Sequence, residues 1–513
     1  MRYFLFIFFL IGLLCLTSCR TDFDTIPSSG KLEFSEETVY LDTIFSQISS
    51  STYQLKVYNR SKDDIKIPTI RLEKPDSKYR LMVDGRSDNN GKRFDNVELL
   101  ANDSLFIFIE TTVVNAPSVL EFTYEDKILF DEGTSQQSVD LVTLVRDACF
   151  IKPNRNLDAV VYETMNVAGF VDEDDNPFTG HTLTDAELIW KKDKPYVIYG
   201  NAVVPNGKTL IVEAGAQVYF HYGATLIIDN GAKIDVRGKI NQFNSEGIMT
   251  NRREVTFEGD RLEPIYENVP GQWGTVFILS GSSSGITNKI DYLTLKNASV
   301  GIFLQSNING NTPKIEITNS QIYDCSNFGI LARQADITGT NLVMNNAGQA
   351  CLAATLGGSY DFEHCTFNND WPTTTQVAVV VNNYFEDENR VRTGFPLTKA
   401  DFKNCIIYGK NNIEVELQKI SDATAFNYLF QKCLVKFNDS NTSLAGNTLY
   451  NLIRNGNTFG NKINSDPKFK NPDRNLMWPT ENLDLIIPQA ISTIDILGKP
   501  RTNVGAYQFI PNL

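Results

Sequence analysis

Residues 206–234 read Asn-Gly-Lys-Thr-Leu-Ile-Val-Glu-Ala-Gly-Ala-Gln-Val-Tyr-Phe-His-Tyr-Gly-Ala-Thr-Leu-Ile-Ile-Asp-Asn-Gly-Ala-Lys-Ile. Gly207, Gly215, Gly223 and Gly231 recur every eight residues, and each is followed three positions later by Leu210, Val218, Leu226 or Ile234. Glycine opens the positive-φ conformations of tight turns. The apolar residue after it returns the chain to the same side. Four short strands separated by four turns read as successive sides of a coil.

A longer repeat follows, of the form apolar, x, turn residue, small residue, x, apolar. It occurs as Leu295-Lys-Asn297-Ala298-Ser-Val300, Ile317-Thr-Asn319-Ser320-Gln-Ile322 and Ile337-Thr-Gly339-Thr340-Asn-Leu342. It continues as Phe362-Glu-His364-Cys365-Thr-Phe367, Phe402-Lys-Asn404-Cys405-Ile-Ile407 and Phe430-Gln-Lys432-Cys433-Leu-Val435. Most units carry a second apolar strand, such as Gly301 to Leu304, Gly329 to Leu331, Val377 to Val381 and Ile413 to Leu417. In a stacked coil, like positions lie about 4.8 Å apart. The small residues Ala298, Ser320, Thr340, Cys365, Cys405 and Cys433 are therefore expected in one interior file. Asn297, Asn319 and Asn404 occupy turn positions that tolerate left-handed backbone, a preference that His364 and Lys432 break. Gly271-Gln-Trp273-Gly274, after Val255-Thr-Phe257-Glu-Gly259, resembles a segment of the pectate-lyase-like superfamily of right-handed parallel β-helices. Asp466-Pro467-Lys468-Phe469 and Asn503-Val504-Gly505-Ala506-Tyr507 resemble its C-terminal closing motif. The resemblance spans about residues 196–510 and implies an all-β fold.

Upstream, residues 31–150 alternate apolar and polar positions in short runs: Thr38 to Leu41, Tyr53-Leu55-Val57, Ile65-Ile67-Ile70-Leu72, Leu105 to Ile109, and Leu141 to Val145. Period two gives strands with one buried face, and the spacing fits an immunoglobulin-like sandwich. Gln54 to Ser61, followed by Ile65-Lys-Ile67 and Ile70, resembles the ASH/Hydin type, which implies a spacer or contact module. Residues 151–195 read as a connector. Asp172-Glu-Asp174-Asp-Asn176 has the alternating oxygen spacing of a calcium loop but lacks the glycine and the later bidentate glutamate. It reads as a solvated acidic loop, and the sequence supports no cofactor.

Residues 1–18 read as a leader. Arg2 precedes an apolar run from Phe4 to Leu16, too short for a transmembrane helix. Leu16-Thr-Ser-Cys19 resembles a bacterial lipobox, which implies lipid on Cys19 and attachment to the outer membrane of a Gram-negative envelope. Residues 19–30 read as a tether, and Asp22 and Asp24 leave open whether the periplasmic or the outer leaflet is displayed. The domains are then leader 1–18, tether 19–30, sandwich 31–150, connector 151–195 and β-helix with C-terminal cap 196–513.

The chain of 513 residues has a formal charge of −14 and three histidines. This acidity lacks the field that drives nucleic-acid binding, and so few histidines leave little room for a multi-His zinc site. No Cys-x-x-Cys occurs. Cys149, Cys325, Cys351, Cys365, Cys405 and Cys433 remain after Cys15 and Cys19. The last three are expected as reduced core thiols, with a disulfide between neighbouring turns the alternative.

The outward positions of the aligned units (Lys296, Thr318, Thr338, Glu363, Lys403 and Gln431) offer no paired carboxylates of the glycosidase kind. Glu363 beside Lys403 reads as a cross-strand ion pair, and Glu414 with Glu416 as two acids on one strand face. The Asn-Thr-Asp and Gly-His-Gly signatures of polygalacturonases are absent, and the catalytic residues stay unknown. A structural module, or one binding a polysaccharide or an envelope protein, is the first reading, with ligand-binding candidates Trp273, Tyr292, Trp371, Tyr384 and Phe385. A lyase or hydrolase acting on an extended glycan is the alternative.

Overall fold

The computed structural model describes residues 24–114, 121–156, 161–165, 167, 177–279, 285–306, 312–421, 423–454, 459–483 and 494–509. The leader, Cys19 and the acidic run 172–176 lie outside them. The fold is all-β, and the chain divides into two compact units, Met1–Asp147 and Ala148–Leu513.

In the first unit, strands Tyr53–Tyr58, Ser104–Thr111 and Tyr79–Val83 belong to a four-stranded sheet, and Ile65–Leu72, Glu121–Phe130 and Gln137–Arg146 to a six-stranded one. Alternation sends Leu55, Val57, Ile107 and Ile109 from one sheet, and Ile67, Ile70, Phe130 and Leu141 from the other, into a shared core. The Asn59 turn is held from inside. Its buried amide donates to the carbonyls of Asp63, Leu99 and Leu100, while Oδ1 accepts from the Ser61 amide.

In the second unit the backbone coils through three columns of parallel strands. One circuit runs Gln217–Phe220, Thr225–Ile228 and Lys233–Arg237, and the next runs Val255–Gly259, Val276–Ile278 and Asn288–Asp291. Each strand pairs, parallel, with its counterpart one circuit on. The first column holds eleven strands. The second and third are joined into one sheet by Phe328–Thr340 and Ala350–Glu363, which bend through both. Inward side chains stack by type. Phe362, Phe402 and Phe430 face one another with centroids 5.5 and 5.0 Å apart.

The interior small-residue file exists, with two corrections. Amides of Val343, Thr366, Ile406 and Leu434 donate to the carbonyls of Ser320, Leu342, Cys365 and Cys405, one circuit back in each case. Ser320, Cys365, Cys405 and Cys433 therefore stand in line, as expected, but Leu342 takes the place given to Thr340. Asn341, not Gly339, adopts the left-handed turn, with φ 54°. Gly339 lies in the strand, where a Cβ would come within 2.4 Å of the Phe362 ring. Ala298 belongs to a different corner, in file with Cys325 and Ala347. The same local pattern fits both corners of the coil, so the repeat by itself could not separate them.

Strands Cys149–Ile151, Gly180–Thr182 and Ile189–Trp190 pair into the three columns. Coiling thus begins well before residue 196, at Cys149 in the last residues read as sandwich, and continues through the stretch read as a connector. Those strands are short and broken by long insertions, which hides their period. The closing segment also departs from the expected cap. Val504 packs on Ile406 and Leu434, and Tyr507 on Tyr323 and Val343, along the outer flank of the first column. At the last circuits it is Tyr450 and Ile453 that join the interior with Phe430 and Phe437.

Candidate functional site

In each middle circuit, the residue that follows the apolar run of the second column turns outward. Gln305, Arg333 and Thr355 are in register, and Asn382 and Gln418 continue the line. The file is tied along its length. Thr355 donates to the Ala332 carbonyl at 2.9 Å, and Asn382 donates to Gln418 Oε1 at 2.9 Å. Beyond it, Tyr384–Glu386 and Arg392–Gly394 form a small antiparallel hairpin. The Arg392 guanidinium lies 4.6 Å from the Tyr384 ring centroid and pairs with Glu386 at 2.5 Å. The Glu386 hydrogen bond raises the Arg392 pKa.

File and hairpin enclose a groove of about 530 Å³, lined also by Ser306, Gln334 and Leu356. That size suits a small ligand or one or two units of a polymer. Gln334 and Leu356 have φ of 55° and 58°. A left-handed leucine is strained backbone, and such strain gathers at functional sites. Arg333 is exposed, its guanidinium 5.3 Å from the Phe303 ring. Phe385 is also exposed. The groove is therefore lined by one guanidinium, the Gln305 and Gln334 amides, the Glu386 carboxylate and an aromatic surface, with the Asn382 and Gln418 amides bonded to each other and to neighbouring groups, a set suited to hydroxyl-bearing ligands.

Of the five aromatic residues expected to bind, the structure brings Tyr384 and Phe385 together here. Trp273 is a correction. It is 1% exposed and stacked on Phe220 at 4.0 Å, with Nε1 donating to the Lys296 carbonyl. A ring sealed in the core cannot serve as a sugar platform. Tyr292 occupies a turn with φ 48° between the third and first columns, and Trp371 a separate turn beside Gly348. Neither joins the groove. Gln305, Arg333, Thr355, Asn382 and Gln418 were missed. Their signal was the polar residue at which each apolar strand ends (Leu304-Gln305, Ala332-Arg333, Val381-Asn382, Leu417-Gln418).

The acids resolve differently from their sequence reading. Glu414 and Glu416 do not share an exposed face. Glu414 is fully buried, accepting from the amides of Ala378 at 2.8 Å and Asn411 at 2.7 Å, and burial pushes its pKa to about 8. Glu416 is exposed and accepts from Gln418. Glu363 and Lys403 are in register, but Lys403 pairs with Asp401 at 3.2 Å and Asp361 at 3.5 Å, and Lys399 with Asp361 at 2.6 Å. This alternating cluster sits on the third column. His221 Nδ1 meets Asp260 at 2.8 Å and its ring stacks on Tyr199 at 4.3 Å. His364 is fully buried, and burial pushes its pKa down to about 3, so its ring is neutral.

No family model matches the chain, and no curated protein matches it. Among solved structures, a family 123 glycoside hydrolase from Clostridium perfringens, described for glycolipid glycan hydrolysis, is similar at 9% identity and TM-score 0.17, over 23% of this chain and 27% of that one. This chain thus spans about a quarter of that enzyme's length. An ASH / PapD-like domain of human CEP192 is similar at 14% identity and TM-score 0.16, over 24% of this chain and 89% of that domain. The catalytic unit of an α-1,3-glucanase from Streptomyces thermodiastaticus is similar at 9% identity and TM-score 0.13, over 75% and 84%. Scores this low carry no argument about activity.

Proposed function

We propose that this chain is an envelope lipoprotein, anchored through lipid on Cys19, whose coil is a right-handed parallel β-helix that binds an extended glycan in the groove between the Gln305–Gln418 file and the Tyr384–Gly394 hairpin. The supporting observation is that file: polar side chains repeat at one position over successive circuits, about 4.8 Å apart, beside an exposed aromatic ring. A polymer crossing circuits meets a polar side chain at each step, an amide, a guanidinium or the Thr355 hydroxyl, and a sugar face can lie on Phe385. In this reading the first unit serves as a spacer or contact module.

The test is a glycan array on the fragment 31–513. A bound class that weakens at least about tenfold in both Phe385→Ala and Arg333→Ala, with unchanged far-UV circular dichroism, supports the reading. A bound class indifferent to both variants places the site elsewhere. The enzyme reading has one specific location, the Asp361–Lys399–Asp401–Lys403 cluster. Reducing ends or unsaturated products that disappear in Asp361→Asn would replace the binding reading with a catalytic one.

A further inference from the structure

Near the start of the coil, Met165 and Val167 lie on the outside of the second column. Met165 and Val167 are buried there against Val203, Ile227, Phe277 and Leu279. The Met165 amide donates to the Phe178 carbonyl at 2.9 Å, the Gly180 amide to the Glu163 carbonyl at 3.1 Å, and Thr164 bridges Thr179. The described part of this strap is held over an apolar row by these bonds and by the Glu163 amide, which donates to the Asn154 carbonyl at 2.8 Å.

Its fastening is His181. Nδ1 lies 2.9 Å from Glu163 Oε2 on the strap, and Nε2 lies 3.0 Å from Glu187 Oε2 on the turn Asp185–Glu187. Both carboxylates are fixed by other donors. Glu163 accepts from the Asn154 amide and side chain and from the Thr182 amide, and Glu187 from the Thr184 amide and hydroxyl. The turn's other acid, Asp185, pairs with Lys208 at 2.6 Å. A neutral imidazole has one N–H and one lone pair. It can satisfy one carboxylate and must present its lone pair to the other. Only the imidazolium donates to both.

We propose that His181 is a proton-operated clasp, closed when the ring carries both protons, and that its deprotonation frees the strap from the apolar row Val203–Ile227–Phe277. The titration agrees in sign. Burial alone would lower the His181 pKa, but hydrogen bonds to Glu163 and Glu187 outweigh it and leave it raised. Both glutamates are lowered against their own burial. The clasp is therefore fully formed below the ordinary histidine pKa and lost as pH rises through the raised one. It also weakens in strong acid, as pH falls through the lowered glutamate values.

The experiment is hydrogen exchange with mass spectrometry on the full chain in detergent, following peptides over 161–167 at pH 6 and pH 9 after correction for intrinsic rates. Protection of this segment is expected to fall about tenfold or more at the higher pH, while peptides over the Phe362–Phe402–Phe430 stack hold theirs. Equal protection at both values overturns the proposal. Glu187→Gln supplies an amide that accepts from the charged ring or donates to the neutral one. It should hold the strap closed at pH 9, and opening as in the parent chain overturns the clasp. His181→Gln should be open and pH-indifferent; a retained pH dependence likewise overturns it.

Discussion

Glu414 shows how one buried side chain can set a pH response. Its two oxygens accept backbone N–H groups in a sealed interior, and burial lifts its pKa to about 8, above the unfolded value of 4.5. Between those values the folded state holds the proton and the unfolded state does not. Stability from this group is therefore greatest in acid and falls as pH rises from about 4.5 to about 8, with a limiting slope of about 1.4 kcal/mol per pH unit. Glu414→Gln should abolish that component in urea titrations across this range. It should also cost about 1–3 kcal/mol at low pH, because the new NH₂ faces a backbone N–H. Lys432 is a second single-residue case. It holds φ 53° where Asn404 holds 54° one circuit earlier. Lys432→Asn should raise the melting midpoint, by roughly 1 kcal/mol of relieved strain.

At the scale of the element, the interior is built from files rather than from single strands. Phe402 touches a ring above and a ring below, the lower one tilted by only 4°. Phe402→Ala should cost about 3–5 kcal/mol in denaturant unfolding, since the neighbouring circuits cannot close into the space. Cys365, Cys405 and Cys433 stand in one file and are fully buried free thiols. Burial holds the Cys405 and Cys433 thiols well above their ordinary pKa. The thiolate is the reactive form, so Cys405 and Cys433 should resist alkylation in the native chain, as should Cys365 because it is sealed from the reagent, and all three should react fully in 6 M guanidinium, read by mass spectrometry. The turn between the third and first columns carries Asn319, Asn341 and Asn404 in left-handed backbone, and Asn341 donates to Asn319 at 2.8 Å. That amide ladder satisfies corner groups that would otherwise be buried unpaired.

At the scale of the whole molecule, the two units have separate cores. Residues 24–147 produced alone should unfold in one cooperative transition by near-UV circular dichroism; a chain lacking one would show that this core depends on the rest. The second unit is quasi-one-dimensional, each circuit resting on its neighbours.

The sequence by itself determined the all-β class, the coiling period of residues 207–234 and the identity of most inward residues, because these follow from local alternation and glycine spacing. It also singled out Tyr384 and Phe385. Tertiary structure alone decided which residues share a file. Insertions of unequal length separate the circuits, and one local pattern serves two corners, so Ala298 and Thr340 gave way to Cys325's corner and to Leu342. The same cause hid the groove. Gln305, Arg333, Thr355, Asn382 and Gln418 are scattered along the chain and become neighbours only when parallel pairing sets successive circuits one strand spacing apart.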